Sequence, residues 1–199
     1  MSFFKILQIP AVYLLWQKAF RKQKLQPFLE ATSSAPFDRI LDIGCGPGVN
    51  FLSLPSSCTY IGVDISAEYI KHASLRYSSG QFLVGDATQL PLNIGKFDCI
   101  LINSLCHHLD DQACCAVVSE AIQHLSSDGH IHILEPILPN SFSVAGLLAV
   151  MDRGRFIRKE DEWRRLLEPL LTTEHYSTNF LKVLRIKCYH MFYFRGRPR

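Results

Sequence analysis

Arg39-Ile40-Leu41-Asp42-Ile43 runs without a break into Gly44-Cys45-Gly46-Pro47-Gly48. An apolar run bounded by a glycine cluster reads as a buried strand ending in a tight turn, with a short helix near Val49–Leu54 behind it. Glycine at every second position lets the backbone adopt unusual φ angles and lets a ligand approach with no Cβ in between. Asp42 sets a carboxylate beside that turn.

Outward from the turn, short apolar runs alternate with helix-like stretches, the pattern of a parallel sheet flanked by helices. Upstream, Ala11–Phe28 places Val12, Leu15, Trp16 and Phe20 at helical spacing behind Pro10, and Ser33-Ser34-Ala35-Pro36 ends that helix. Downstream, Tyr60–Val63 is a second strand ending at Asp64, Ala67–Tyr77 a helix, and Gln81–Val84 a third strand ending in Gly85-Asp86. Phe97–Ile102 is a fourth, with Asn103 at its end and only Ala87–Lys96 as its crossover from the third. Asp110-Asp111 opens a helix to about Leu125, acidic groups suiting the positive end of its dipole, and Ser127-Asp128-Gly129 stops it. His130–Leu134 is a fifth strand with Glu135-Pro136 at its end. Helices at Ser141–Met151 and Glu160–Leu170 and strands at Thr173–Leu184 and Lys187–Phe194 follow.

In an open α/β sheet a ligand lies beyond the carboxyl ends of the strands. Those ends carry Asp42 with the glycine turn, then Asp64, Asp86 and Asn103, and the ordered set is more specific than any one member. Asp64 stands 20 positions after Gly44, the separation of a carboxylate that accepts hydrogen bonds from both hydroxyls of a ribose. A dinucleotide site shares these features but requires G-x-G-x-x-G, and the sixth position here is Val49. Asp42 would also repel a pyrophosphate, whereas it attracts an ammonium group, directly or through water.

Leu41–Gly48 resembles motif I of the class I S-adenosylmethionine-dependent methyltransferases. Gly85-Asp86-Ala87-Thr88-Gln89-Leu90-Pro91 is similar to the family's third-strand motif. Phe97-Asp98-Cys99-Ile100 with Leu105-Cys106-His107-His108-Leu109 resembles the fourth-strand motif of its ubiquinone-biosynthesis-like, small-molecule branch. The resemblance covers Arg39 to Pro136 and implies a Rossmann-like, seven-stranded, mostly parallel sheet with an antiparallel last strand. It also implies S-adenosylmethionine as cofactor. Gly44, Cys45, Gly46 and Gly48 would hold the methionine end beside Asp42, Asp64 the ribose and Asp86 the adenine amino group, with Ile65, Ala87 and Asn103 completing the cofactor-binding set.

For the acceptor, His108, His107 and Glu135 follow the strands where the transferred methyl should emerge. Histidine titrates near neutrality and can take a proton from a hydroxyl. The two histidines, being adjacent, are expected to point in different directions, one of them structural. Arg153, Arg155 and Arg158, beside Gly154, suggest a mobile lid within residues 137–172 that recognises an anionic acceptor. His130 and His132 alternate on one strand face, a spacing compatible with a metal but equally with core packing, and no metal is expected.

With 199 residues and 48% hydrophobic content, one methyltransferase domain is expected, residues 1–30 forming its N-terminal helical segment. Lys and Arg exceed Asp and Glu by three, too little and too scattered for a nucleic-acid footprint. Asn103-Ser104-Leu105-Cys106 also lacks the two prolines and aromatic of the amino-methylating nucleic-acid enzymes, and no Pro-Cys pair occurs, though an RNA or protein target stays open. Seven cysteines without regular spacing, several in apolar runs, fit a reducing, cytoplasmic setting. No signal peptide or membrane span is expected, since Met1–Gln26 carries Lys5, Gln8 and Pro10 and Phe142–Met151 is short. Two other functions compete with a methyltransferase acting on a small, anionic acceptor: a catalytically silent S-adenosylmethionine-binding partner protein and, disfavoured by Val49, an NAD-linked reductase.

Overall fold

The computed structural model describes residues 10–33, 36–140, 143–150 and 154–199. The elements in order are α1 (Pro10–Ser33), β1 (Arg39–Ile43), β2 (Thr59–Asp64), α2 (Ala67–Arg76), β3 (Gln81–Val84), β4 (Phe97–Asn103), α3 (Asp111–His124), β5 (Leu125–Pro136), α4 (Val144–Val150), α5 (Glu160–Leu167), β6 (Leu171–Val183) and β7 (Ile186–Pro198). The strands form one seven-stranded sheet in the order β3-β2-β1-β4-β5-β7-β6. β1 to β5 pair in parallel, while β7 runs antiparallel to both β5 and β6.

Period-two alternation sends neighbouring side chains to opposite faces and builds two cores. Leu41, Ile43, Ile61, Val63, Ile100 and Ile102 meet Val117, Val118 and Ala121 of α3 and Trp163 of α5. Ile40, Tyr60, Cys99 and Leu101 face the other way, onto Leu25 and Phe28 of α1 and Ile70 and Ala73 of α2. By the same alternation Asp42 and Asn103 lie on this second face, together with Tyr60. α1 continues beyond the expected end at Phe28, through Pro27 to Ser33, where the Thr32 and Ser33 hydroxyls donate to the Phe28 and Glu30 carbonyls.

Several strand boundaries differ from expectation: β6 starts at Leu171 rather than Thr173, β7 runs Ile186–Pro198 rather than Lys187–Phe194, and the largest change is in β5. β5 begins at Leu125 rather than His130, because buried Leu125 already pairs with Phe97. A register shift between Phe97 and Cys99 absorbs the polar Ser126–Asp128 stretch before His130 pairs with Cys99. The helix expected at Ser141–Met151 is seen as α4; Ser141, Phe142 and Met151 lie outside the described residues.

β6 is outermost and carries register shifts between Thr173 and His175 and between Leu181 and Lys182. No helix among the described residues is long and apolar enough to cross a membrane.

Candidate active site

Gly44, Gly46 and Gly48 take φ angles of 74°, 54° and 75°, as a turn reversing at the end of β1 requires. The Gly44 and Cys45 amides both donate to the Val63 carbonyl, anchoring the turn to β2. A Cβ at Gly44 would press on Leu105 and one at Gly48 on Phe82 and Tyr77, but at Gly46 it would meet nothing within 4 Å. The turn is therefore packed at its ends and open at its middle.

Asp64, half-buried at the tip of β2, faces that opening. Its Oδ2 accepts from the Gly46 amide at 2.8 Å and its Oδ1 from the Ser66 amide at 2.9 Å. Each oxygen keeps a lone pair for a diol, since a carboxylate accepts at about four sites. Next to it, Ile65 is 74% exposed, an apolar side chain offered to the space beyond the strands. Asp86 is exposed at the end of β3, and its Oδ1 accepts from both the backbone and the hydroxyl of Thr88. Those bonds hold its carboxyl below the usual range, while Oδ2 accepts no hydrogen bond from the described residues. Ala87 beside it is half-buried.

Asp42 departs from expectation. It is fully buried, and its oxygens accept from the Tyr60 hydroxyl at 2.8 Å and from Asn50 Nδ2 at 3.1 and 3.3 Å, so it does not meet a ligand directly. Burial pushes its carboxyl up to about 6 from an ordinary 3.8, against the lowering effect of Tyr60 and Asn50. Asn50, which the sequence reading passed over, continues the chain: its Oδ1 accepts from Asn103 Nδ2 at 3.0 Å. Asn103 in turn accepts from Ser104, whose hydroxyl accepts from Lys24 Nζ of α1 at 2.9 Å. A polar chain thus runs beneath the glycine turn from β2 to α1. Burial raises the Cys45 thiol further above its usual range, so Cys45 is a neutral space-filler in this turn.

Asp42 gives this site a pH signature. With a folded pKa near 6 and an unfolded one near 3.8, the carboxyl favours the folded state below about pH 4, and that advantage fades as pH rises through 6. Asp42→Asn is expected to remove a stability change of about 3 kcal/mol over this window. Urea midpoints across pH 4 to 7 check it; an unchanged slope in the variant would remove Asp42 as the source.

Beyond β4, Ser104 sits at φ 60° and Cys106–His108 form a 3-10 turn. Glu135 holds this turn from beneath. It is fully buried, Oε1 accepting from the Leu105 and Cys106 amides at 2.8 and 2.7 Å and Oε2 lying 2.6 Å from His107 Nδ1. Glu135 is therefore a positioning residue, not the acceptor-facing group expected from its place at a strand end. His107 is buried and His108 exposed, but their rings lie 4.1 Å apart at 38°, so the two do not diverge as adjacency suggested. His107 is also covered: its carbonyl accepts from the Phe156 amide, and a Cβ at Gly154 would fall on its ring.

Arg158 is likewise not an acceptor-binding group. Buried against the Trp163 ring at 4.7 Å, it donates to Asp111 Oδ1 and to the carbonyls of Cys106, Leu109 and Phe156 at 2.8 to 3.1 Å. These bonds, with a bridge between Ile137 and Arg158, tie Phe156–Arg158 of the expected lid to the 106–109 turn, while residues 151–153 lie outside the described residues. Arg155 is exposed, and Arg153 lies outside the described residues. His130 and His132 are structural: His130 pairs with Glu174, and His132, pushed down to about 3 by burial, bonds Tyr193.

Residues 40–129 match the model of a methyltransferase domain. Over 90 residues the chain is 40% identical to a tRNA (carboxymethyluridine(34)-5-O)-methyltransferase of Arabidopsis thaliana, covering 45% of this chain and 21% of that protein. Over 130 residues it is 28% identical to a demethylmenaquinone methyltransferase of Thermotoga maritima, covering 64% of this chain and 54% of that protein. The chain thus spans about half or less of the length of these curated relatives. Its fold is similar to that of the N-methyltransferase NodS from Bradyrhizobium japonicum, solved with S-adenosyl-l-homocysteine. The TM-score is 0.71 at 18% identity, over 90% of this chain and 87% of that one.

Proposed function

Starting from a chain whose residues 40–129 match a methyltransferase domain, we propose that the protein is an S-adenosylmethionine-dependent methyltransferase acting on a small acceptor. The observation that carries this reading is the pairing of Asp64 with the open middle of the glycine turn, both at the carboxyl edge of the sheet. The residues present fit the cofactor. Gly46 leaves backbone accessible, Asp64 offers lone pairs for two ribose hydroxyls, Ile65 offers an apolar surface for the adenine ring, and Asp86 Oδ2 an acceptor for its amino group. Asp42, through Tyr60 and Asn50, holds the turn in register. When bound, S-adenosylmethionine supplies an electrophilic methyl group on sulfonium.

What the chain itself adds is orientation, water exclusion and a proton acceptor. Glu135 accepts from amides and Arg158 donates to carbonyls of the 105–109 turn, so His107 and His108 are held beyond β4 in one arrangement. His108, the exposed member, is placed to accept the proton of a hydroxyl acceptor as the oxygen attacks. Of Arg155 and Arg158, the two described arginines of the cluster, Arg155 is the exposed one and is open to an anionic acceptor. Calorimetric titration with S-adenosylmethionine, followed by a search for methylated product in a metabolite panel, tests the proposal; absence of binding heat overturns it. His108→Ala is expected to lower kcat by about a hundredfold or more while sparing cofactor affinity. Equal kcat across the pH range in variant and wild type would leave His108 without a part in proton transfer.

A further inference from the structure

The β6–β7 ribbon overhangs the rest of the sheet. Pairing of β7 with β5 ends at Met191 opposite Pro136, the Ile137 amide still donates to the His190 carbonyl, and from Tyr189 to Ile186 β7 pairs, among the described residues, with β6 alone. At roughly 3.4 Å per residue the ribbon projects more than 10 Å past that point. It does so at the carboxyl end of β5, the same end of the sheet as the glycine turn. α1 braces it where the tip begins, Gln23 both donating to the Lys182 carbonyl and accepting from the Lys182 amide. A small core of Phe20, Leu181, Cys188 and Met191 lies beneath it, with Leu148 of α4 packed on it.

The tip beyond this core is unusual in three ways. Leu184 and Arg185 occupy a two-residue turn at φ 47° and 71°, where Asn-Gly is the unstrained choice. Leu184 is 91% and Ile186 56% exposed, so Leu184 gives the fold almost no burial in return and Ile186 only part of its surface. Lys182 and Lys187 face each other across the strands, a like-charge pairing that disfavours the ribbon. No acidic residue occurs from His175 to Arg199, so no acid on this stretch neutralises Lys182, Arg185 or Lys187, although the Lys187 ammonium lies 4.4 Å from the centre of the Phe180 ring. Exposed branched apolar side chains ringed by cations are complementary to a surface with anionic headgroups over a hydrocarbon layer.

We infer that the ribbon tip, Lys182–Lys187, is a docking surface for an anionic lipid bilayer. Leu184 and Ile186 enter the headgroup boundary, and the three cations contact lipid phosphates. The opposing lysines, repulsive in water, are then bridged by anions. Because the ribbon leaves the sheet at the carboxyl end of β5, docking sets the strand ends that carry the candidate active site toward the lipid.

Co-flotation of the full chain with phosphatidylcholine vesicles, with and without phosphatidylglycerol, tests this without any need for an acceptor. Wild type is expected to float with the anionic vesicles, to be released by salt, and to ignore phosphatidylcholine alone. Leu184→Asn with Arg185→Gly installs the relaxed turn, so it is expected to raise the melting temperature while lowering partition at least about tenfold. Lys182→Glu, which pairs with Lys187 across the strands, is expected to keep the fold and likewise weaken flotation. Failure of wild type to float with anionic vesicles, equal flotation with neutral ones, or full flotation of the Leu184→Asn/Arg185→Gly variant overturns the inference.

Discussion

Replacing Arg158 with alanine is expected to destabilise the protein by about 3–4 kcal/mol, a large share of the roughly 5–15 kcal/mol that holds a domain folded. The guanidinium is 6% exposed and donates to three backbone carbonyls and to Asp111 while stacking on Trp163. Alanine leaves the Cys106 and Leu109 carbonyls without that donor inside the protein, which costs more than the bonds themselves contributed. Lysine keeps a charge but not the planar fork, and should recover only part of the loss. Denaturant midpoints of Arg158→Ala, Arg158→Lys and Arg155→Ala check the expectation. A wild-type midpoint for Arg158→Ala would show that the clamp is incidental; Arg155→Ala, at an exposed position, should change little.

Asp64→Ala should spare the fold and strike the ligand. Losing a carboxylate that accepts from a ribose is expected to weaken S-adenosylmethionine binding by about 1.5–3 kcal/mol, roughly ten- to more than a hundredfold in Kd. The Gly46 amide also loses its acceptor, so the open part of the turn loosens in the free protein. Asp64→Asn separates the two effects, since its carbonyl oxygen can still accept from Gly46 but its amide cannot accept from a second hydroxyl. Titration of both variants reads the difference. Unchanged affinity in Asp64→Ala would remove it from the site.

The strand ends were legible because parallel strands bury both faces and stand out as apolar runs, and because acids and glycines have few reasons to gather at their ends. The bounds read for β1 and β3 are those observed. The inner side of the site was not legible, because a side chain's direction depends on partners far away in sequence. Asp42 reads as a ligand-facing acid until Tyr60 and Asn50 are seen to enclose it. Arg158 reads as one of three equivalent arginines, but the Leu109 and Cys106 carbonyls, 49 and 52 positions away, take it inward. Asn50 gave no signal, since an asparagine after a glycine turn is ordinary loop chemistry. The break between the last two strands reads one residue late in the sequence, at Arg185-Ile186 with Leu184 still in the strand, and the strain of the turn shows only in its φ angles.

The outermost strand, β6, bears on how the chain behaves when crowded. Thirteen residues of unpaired edge would be a template on which a second chain could add a strand and begin to aggregate. The two register shifts cut that template short. Glu174 occupies the first, its carboxylate drawn toward His130, Arg195 and Arg197, and Lys182 follows the second. Only His175–Leu181 between them keeps a regular ladder, so a charged gatekeeper stands at each end of the stretch most able to recruit a neighbour.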